Sequence, residues 1–181
     1  PVRGKVISVK MNDVEITDCT VTFKTAVVRD LAWVMSSPGL IAAATDNASI
    51  VSDDWCLKIY VSHLQTLSEL DKNPQPLFDY LSDLTNQRLG FYFEMLLAFG
   101  LEHILCSHPF RKNVPVFQAM ENSGRRTLGE FDFLFGQKNE STLNHWEVTV
   151  KFYLHHEDAA GKTHWLGPAG RDRLDAKLAR I

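Results

Sequence analysis

Two stretches in the C-terminal part of the chain set acidic side chains where strand pairing would crowd them. Gly129-Glu130-Phe131-Asp132-Phe133-Leu134-Phe135 and Trp146-Glu147-Val148-Thr149-Val150-Lys151-Phe152-Tyr153-Leu154 both alternate with period two, and successive strand side chains point to opposite faces. In the first stretch Gly129, Phe131, Phe133 and Phe135 share one face, and Glu130 and Asp132 the other. In the second, Trp146, Val148, Val150, Phe152 and Leu154 are apolar, and Glu147, Thr149, Lys151 and Tyr153 lie opposite. Joining the apolar faces fixes the parity of pairing and sets acid against acid. With Gln137–Thr142 as the connecting loop, Asp132 stands opposite Glu147; a shift by two puts Glu130 there instead. Directly opposed residues lie about 4.5–5.5 Å apart at Cβ, where like charges destabilise. A divalent cation such as Mg²⁺ or Mn²⁺ would relieve this, because Mg²⁺ takes oxygen ligands that commonly include one or two carboxylates. Protonation of one acid, or exposure of an inert polar sheet face, would relieve it equally. Lys151 on the same face adds an ammonium able to stabilise developing phosphate charge or help activate water.

Glu94 is a third acid of interest. It interrupts the apolar run Phe91-Tyr92-Phe93-Glu94-Met95-Leu96-Leu97, one helical turn after Gly90. Helical side chains lean towards the N-terminus, so Gly90 leaves open the space that Glu94 leans into. A glycine within a helix costs about 0.5–1 kcal/mol, which points either to function or to a boundary glutamate beside a tight helix crossing.

The elements that must position these residues follow from the rest of the chain. It has 181 residues, 45% hydrophobic and 23% charged, the size and usage of a single globular domain. Disordered, collagenous and low-complexity classes are excluded. The net charge of −3 excludes a broadly basic nucleic-acid coat. Residues 1–109 carry 8 basic and 13 acidic side chains, and residues 110–181 carry 11 and 9. The C-terminal part is therefore the better face for an anionic partner. The longest uncharged stretch, from Asp30 to Asp46, is shorter than a membrane span and is broken by Pro38-Gly39. Cys19, Cys56 and Cys106 form no CxxC pair, which fits a reducing cytoplasm rather than a disulfide framework or zinc ribbon.

Residues 1–25 alternate weakly at Val14, Ile16, Val21 and Phe23, a pattern compatible with edge strands, and are expected to be an N-terminal extension or leader; residues 1–10 read as leader or upstream translation, since Met11 offers a translation start that Pro1 does not. Residues 26–181 are expected to be one domain. Its helical part, 26–108, opens with the Val27, Val28, Leu31, Val34, Met35 stripe, which stops at Ser37-Pro38-Gly39. Ser52-Asp53-Asp54 reads as an N-cap with acids in the first turn, followed by a stripe through Trp55, Ile59, Leu64 and Leu67. Asn73-Pro74-Gln75-Pro76 is a break and new start, and Leu77 to about Glu102 accommodates two helices. The second part, 109–181, reads as strands over Asn113–Gln118, Thr127–Phe135 and Leu143–Leu154, with a turn at Glu121–Gly124. A Gly167-Pro168 turn and a final helix bearing Leu174, Leu178 and Ile181 follow. Helices, then a small antiparallel sheet, then a helix make an α+β fold.

The order of a helix with an inward Glu, a strand ending in Asp, and a strand with Glu and Lys resembles the PD-(D/E)XK phosphodiesterase superfamily of restriction-like endonucleases and Holliday-junction resolvases. Residues 129–134 resemble the second core strand of that fold, and residues 145–154 the third. A closer resemblance, from about Val27 to Ile181, is to a bacterial family known as domain of unknown function eighteen fifty-three. It is carried by Arg29-Asp30-Leu31-Ala32-Trp33, by Arg88-Leu89-Gly90-Phe91-Tyr92-Phe93-Glu94, by the two strands, by Gly167-Pro168 and by Asp172-Arg173-Leu174-Asp175-Ala176-Lys177-Leu178. The resemblance implies a restriction-endonuclease-like core in which Asp132 and Glu147 hold Mg²⁺ or Mn²⁺, Glu94 supports the metal and Lys151 is the catalytic lysine. It implies DNA or RNA as partner, no membrane, and a family sequence that continues beyond Ile181. One departure stands out: the superfamily places its lysine two residues after the acid. Thr149 occupies that position here, and Lys151 lies four residues on, about 13 Å between α-carbons at 3.3 Å per residue. A bulge or strong twist would be needed to close that gap.

Arg171, Arg173 and Lys177 are candidate phosphate contacts, with a solvated helix face as the alternative. His145, His155 and His156 lack the spacing of a metal motif such as HExxH. Cys106-Ser107-His108 reads as a helix end. Trp33, Trp55 and Trp165 read as packing residues, with base stacking the functional alternative.

Overall fold

A computed structural model describes residues 9–11, 14–16, 22–37, 39, 50–82, 88–119, 124–137, 141–148, 150, 152–158, 160–161, 163–167, 170 and 173–174. The architecture is α+β. A short antiparallel pair, β1 (Val9–Met11) and β2 (Val14–Ile16), precedes the helices α1 (Ala26–Ser36), α2 (Asp53–Ser62), α3 (Leu64–Lys72), α4 (Gln75–Leu81) and α5 (Leu89–Phe99). The last of these runs on into a π-helical turn, Gly100–Ile104. A three-stranded antiparallel sheet follows, β3 (Phe110–Ala119), β4 (Arg125–Gly136) and β5 (Leu143–Trp146), in the order β3-β4-β5. A separate hairpin joins β6 (Leu154–Glu157) to β7 (Thr163–Leu166).

The helices begin and end where local chemistry directs. Ser52 Oγ accepts the Trp55 N–H at 3.2 Å, with Asp53 and Asp54 in the first turn of α2; an N-cap hydroxyl satisfies one of the free N–H groups there. The stripe beyond Trp55 forms two helices rather than one, divided at His63, which is the C-cap of α2 and the N-cap of α3. Helix α1 has no side-chain cap of its own. Asp71, at the far end of α3, takes its place and accepts the Lys24 and Thr25 N–H groups at 2.8 Å each. Those two bonds hold the Asp71 carboxyl below the usual carboxylate range.

Helix α5 is apolar on every side but that of Glu94 and is shared by two cores. Leu96 and Phe99 pack with Val28, Leu31, Met35, Leu67 and Leu77 among the helices. Leu97, Ala98 and, in the π turn, Leu101 pack with Phe133 and Phe135 of β4. Phe110, Trp146 and Val148 border this second cluster. Trp55 of α2 meets Trp146 edge-on at 5.3 Å, and Trp146 meets Phe135 at 5.1 Å; edge-to-face pairs of this kind add to the burial of the rings. Trp55 is thus a packing residue, whereas Trp33 and Trp165 are 57% and 47% exposed.

Two strand expectations change. The third strand does not run from Leu143 to Leu154; β5 stops at Trp146. The Val148 N–H donates to Asp132 Oδ2 at 2.9 Å, so a side chain takes over where the ladder would continue. Its apolar face is correspondingly short: Trp146 and Val148 reach the core, but Phe152 and Leu154 are 71% and 72% exposed. The residues near Leu154 form the unforeseen β6–β7 hairpin. The Glu121–Asn122–Ser123 part of the expected turn and the final helix beyond Leu174 lie outside the described residues.

Candidate functional site

The β4–β5 register decides which acids meet. Phe133 pairs with Trp146, Leu134 with His145 and Phe135 with Asn144. One step beyond the Phe133–Trp146 pair come Asp132 on β4 and Glu147 just past the end of β5, which is the register expected for a Gln137–Thr142 loop. Both carboxylates sit where β5 ends beside β4, and each has a partner. Asp132 Oδ2 accepts from Val148 N–H, which leaves its second oxygen outside that bond. Glu147 Oε1 lies 2.9 Å from His145 Nε2, with both side chains well exposed. The His145 ring packs against Phe131 at 4.3 Å. Glu130, the acid of the alternative register, accepts from Asn113 Nδ2 across the β3–β4 pair at 3.1 Å. Among the described residues no three His, Cys, Asp or Glu side chains form a group able to hold a metal ion.

Glu94 projects from α5 into a groove of about 320 Å³ that it lines with Phe91, Met95, Lys112, Asn113 and Phe133. Asp132 and Glu147 are not among the lining residues. A Cβ added at Gly90 would meet no atom within 4 Å, so no helix crossing demands the glycine and the space before Glu94 is open. Lys112, unnoticed in the sequence, stands on β3 opposite Phe133. Its Nζ lies 3.2 Å from Met95 Sδ and 5.6 Å from the Tyr80 ring centroid. The signal was present: Lys112 takes an inward position in the alternation Phe110-x-Lys112-x-Val114. Tyr80 donates to Glu102 Oε2 at 3.3 Å; burial, and then the Glu102 charge, push its phenol up to about 12. Asn113 adopts a left-handed backbone, φ +53°, a conformation Asn tolerates better than most residues.

Lys151, Thr149, Arg171 and Lys177 lie outside the described residues. Arg173 is exposed and forms a β-bridge to Leu166. His155 packs on Trp165 at 5.1 Å, and His156 stands opposite His164, whose Nε2 lies 2.9 Å from Asp158 Oδ2. Cys106 and buried Ser107 close the π turn, where Ser107 N–H donates to Leu101 O at 3.0 Å. None of the described helices is long and apolar enough to cross a membrane.

A family model, Domain of unknown function (DUF1853), matches residues 29–181. The chain belongs to the DUF1853 family. No curated protein and no solved structure matches it. Two of the segments that carried the resemblance meet in this DUF1853 domain: Tyr92 of α5 donates to Asp30 Oδ2 of α1 at 2.8 Å. Burial and that acceptor raise the Tyr92 phenol well above its ordinary value. Arg29 Nη1 in turn donates to the Phe23 and Lys24 carbonyls at 3.1 and 2.7 Å. These contacts tie α5, and with it Glu94, to the helical core.

Proposed function

We propose that this DUF1853 domain is a Mg²⁺-dependent phosphodiesterase acting on nucleic acid. The observation that carries the reading is the Phe133–Trp146 pair, which brings Asp132 and Glu147 to adjoining positions where the strands separate. The donor set suits a hard cation: Asp132 and Glu147 would each contribute oxygen, and Mg²⁺ ordinarily retains several waters beside one or two carboxylates. When bound, the metal would polarise the scissile phosphate and lower the pKa of a coordinated water. The protein's own part is positioning. Val148 N–H orients Asp132, and His145 holds Glu147. Glu94 would support the site from α5 and Lys151 would face the phosphate charge, both roles implied by resemblance to the PD-(D/E)XK superfamily.

Incubation of the protein with plasmid and structured DNA or RNA substrates in Mg²⁺ or Mn²⁺ tests this. Metal-dependent cleavage is expected, with Asp132→Ala and Glu147→Ala both inactive. No cleavage by the parent, or unchanged cleavage by both variants, refutes it.

A second reading, a binding module of the same fold without turnover, is favoured by a different observation: Asp132 and Glu147 each already have a partner within the protein. It calls for salt-dependent binding that neither substitution alters.

A further inference from the structure

The β3–β4 ribbon extends well past the sheet it belongs to. The two strands keep nine registered pairs, from Phe110–Phe135 to Ala119–Arg125. β5 covers only the base of β4, pairing with Phe133 to Gly136. From Arg125 to Glu130 every residue of β4 is exposed, as are Phe117, Gln118 and Ala119 on β3. Leu128 and Phe117 are 59% and 49% exposed. Between Pro115 and Glu130 the charged residues are Arg125 and Arg126, against Glu121 in the connecting sequence and Glu130, whose carboxylate accepts from Asn113 Nδ2; distal to Glu130 the charged side chains among the described residues are the two arginines. The Arg125 guanidinium lies 5.9 Å from the Phe117 ring centroid, so an aromatic platform orients the cation. Arg126 stands opposite Gln118.

The ribbon is poorly built to pair with another strand. Pro115 removes an N–H from edge strand β3, and the register slips by one between Val116 and Phe117, leaving Leu128 without a cross-strand partner. Proline and bulges are the usual means by which edge strands resist pairing, and a bulge increases the right-handed twist. A second copy of this chain is therefore disfavoured as the occupant. An anionic partner is favoured by Arg125 and Arg126, the charged side chains among the described residues distal to Glu130.

We infer that the distal β3–β4 ribbon enters the major groove of duplex DNA, presenting Arg125 from one face and Arg126 with Gln118 from the other. The inference rests on the nucleic-acid reading above and narrows its substrate class. Two strands lie about 4.8 Å apart, and a two-stranded ribbon fits the major groove of B-form DNA, about 12 Å wide. The major groove of A-form RNA is too deep and narrow for side chains to read.

The test is fluorescence anisotropy of the full chain with a labelled 20-base-pair DNA duplex, titrated between 50 and 200 mM salt in EDTA so that binding is measured apart from cleavage. Arg125→Ala/Arg126→Ala is expected to weaken binding about 10–100-fold and to reduce the slope of log K against log salt by about 2, near 0.9 per lost phosphate contact. Arg125→Lys/Arg126→Lys should keep the slope. Thermal unfolding of both variants at the parent's temperature shows that the ribbon still folds. No duplex binding by the parent, an unchanged slope in the alanine variant, or tighter binding of an RNA duplex than of DNA overturns the inference. If Asp132→Ala still binds but no protein cleaves, the ribbon assignment stands and the phosphodiesterase reading fails. If the parent cleaves while the alanine variant binds as well as it does, the reverse holds.

Discussion

Asp132 does two separable things in this structure, and its substitution should distinguish them. One carboxylate oxygen accepts the Val148 N–H at 2.9 Å in a part-buried position, which ends strand β5 and fixes where Glu147 stands. A hydrogen bond to a charged group contributes about 1.5–3 kcal/mol. Asp132→Ala removes the acceptor and strands the amide, so it should cost about that much. For a domain of this length 1 kcal/mol moves the midpoint about 2–4 °C, giving a fall of about 3–12 °C in Tm. Asp132→Asn retains a carbonyl acceptor and should lose less than half as much. Metal binding divides the same pair differently, because a neutral amide is a poor ligand for Mg²⁺. With a dissociation constant near 1 mM, 10 mM Mg²⁺ would stabilise the parent by about 1.4 kcal/mol, or about 3–6 °C, and neither variant at all. Thermal unfolding followed by circular dichroism, with and without Mg²⁺, reads both effects. If Asn costs as much as Ala, the Val148 bond is not what Asp132 contributes. If Mg²⁺ raises the Tm of Asp132→Asn as much as that of the parent, the cation does not bind at this carboxylate.

Other outcomes follow from the packing and the charges. A Cβ at Gly136 would lie 2.5 Å from the His108 carbonyl oxygen, so Gly136→Ala forces the backbone apart and should cost about 1–3 kcal/mol by urea unfolding. Asp71 has a lowered pKa, so its contribution is present above its unfolded value of 3.8 and disappears as pH falls through the lower folded value. The gap in Tm between the parent and Asp71→Ala should be widest near pH 7 and narrow progressively as pH falls below 3.8. Tyr80 is raised to about 12, so its stabilisation is complete below pH 10 and lost as pH rises towards 12; in an ultraviolet titration Tyr80→Phe should remove a phenol that ionises near 12.

The parts of the fold legible in the sequence were those with repeated apolar spacing or a capping residue. The α1 stripe, the Ser52 cap and the alternation from Thr127 to Phe135 each contain enough local information to define an element. The Asp132–Glu147 register was legible too, because parity and loop length constrain it. What escaped depends on contacts distant in sequence. β5 stops at Trp146 because a carboxylate sixteen residues away captures Val148 N–H, and α1 is capped by Asp71, 46 residues beyond Thr25. Lys112 and Arg125-Arg126 look like ordinary surface charge until β3 and β4 are paired. Pairing then puts Lys112 beside α5 and the two arginines on a ribbon that no other described strand flanks.

Because α5 belongs to two cores at once, the sheet has no interior of its own. Leu97 and Ala98 complete it from a helix whose other side is buried among α1, α3 and α4. A protein begun after α5 would leave Phe133 and Phe135 facing water, and loosening α1 should be felt at the strand ends where Asp132 and Glu147 stand. Hydrogen exchange should therefore find the helical half and β4 opening together as one cooperative unit.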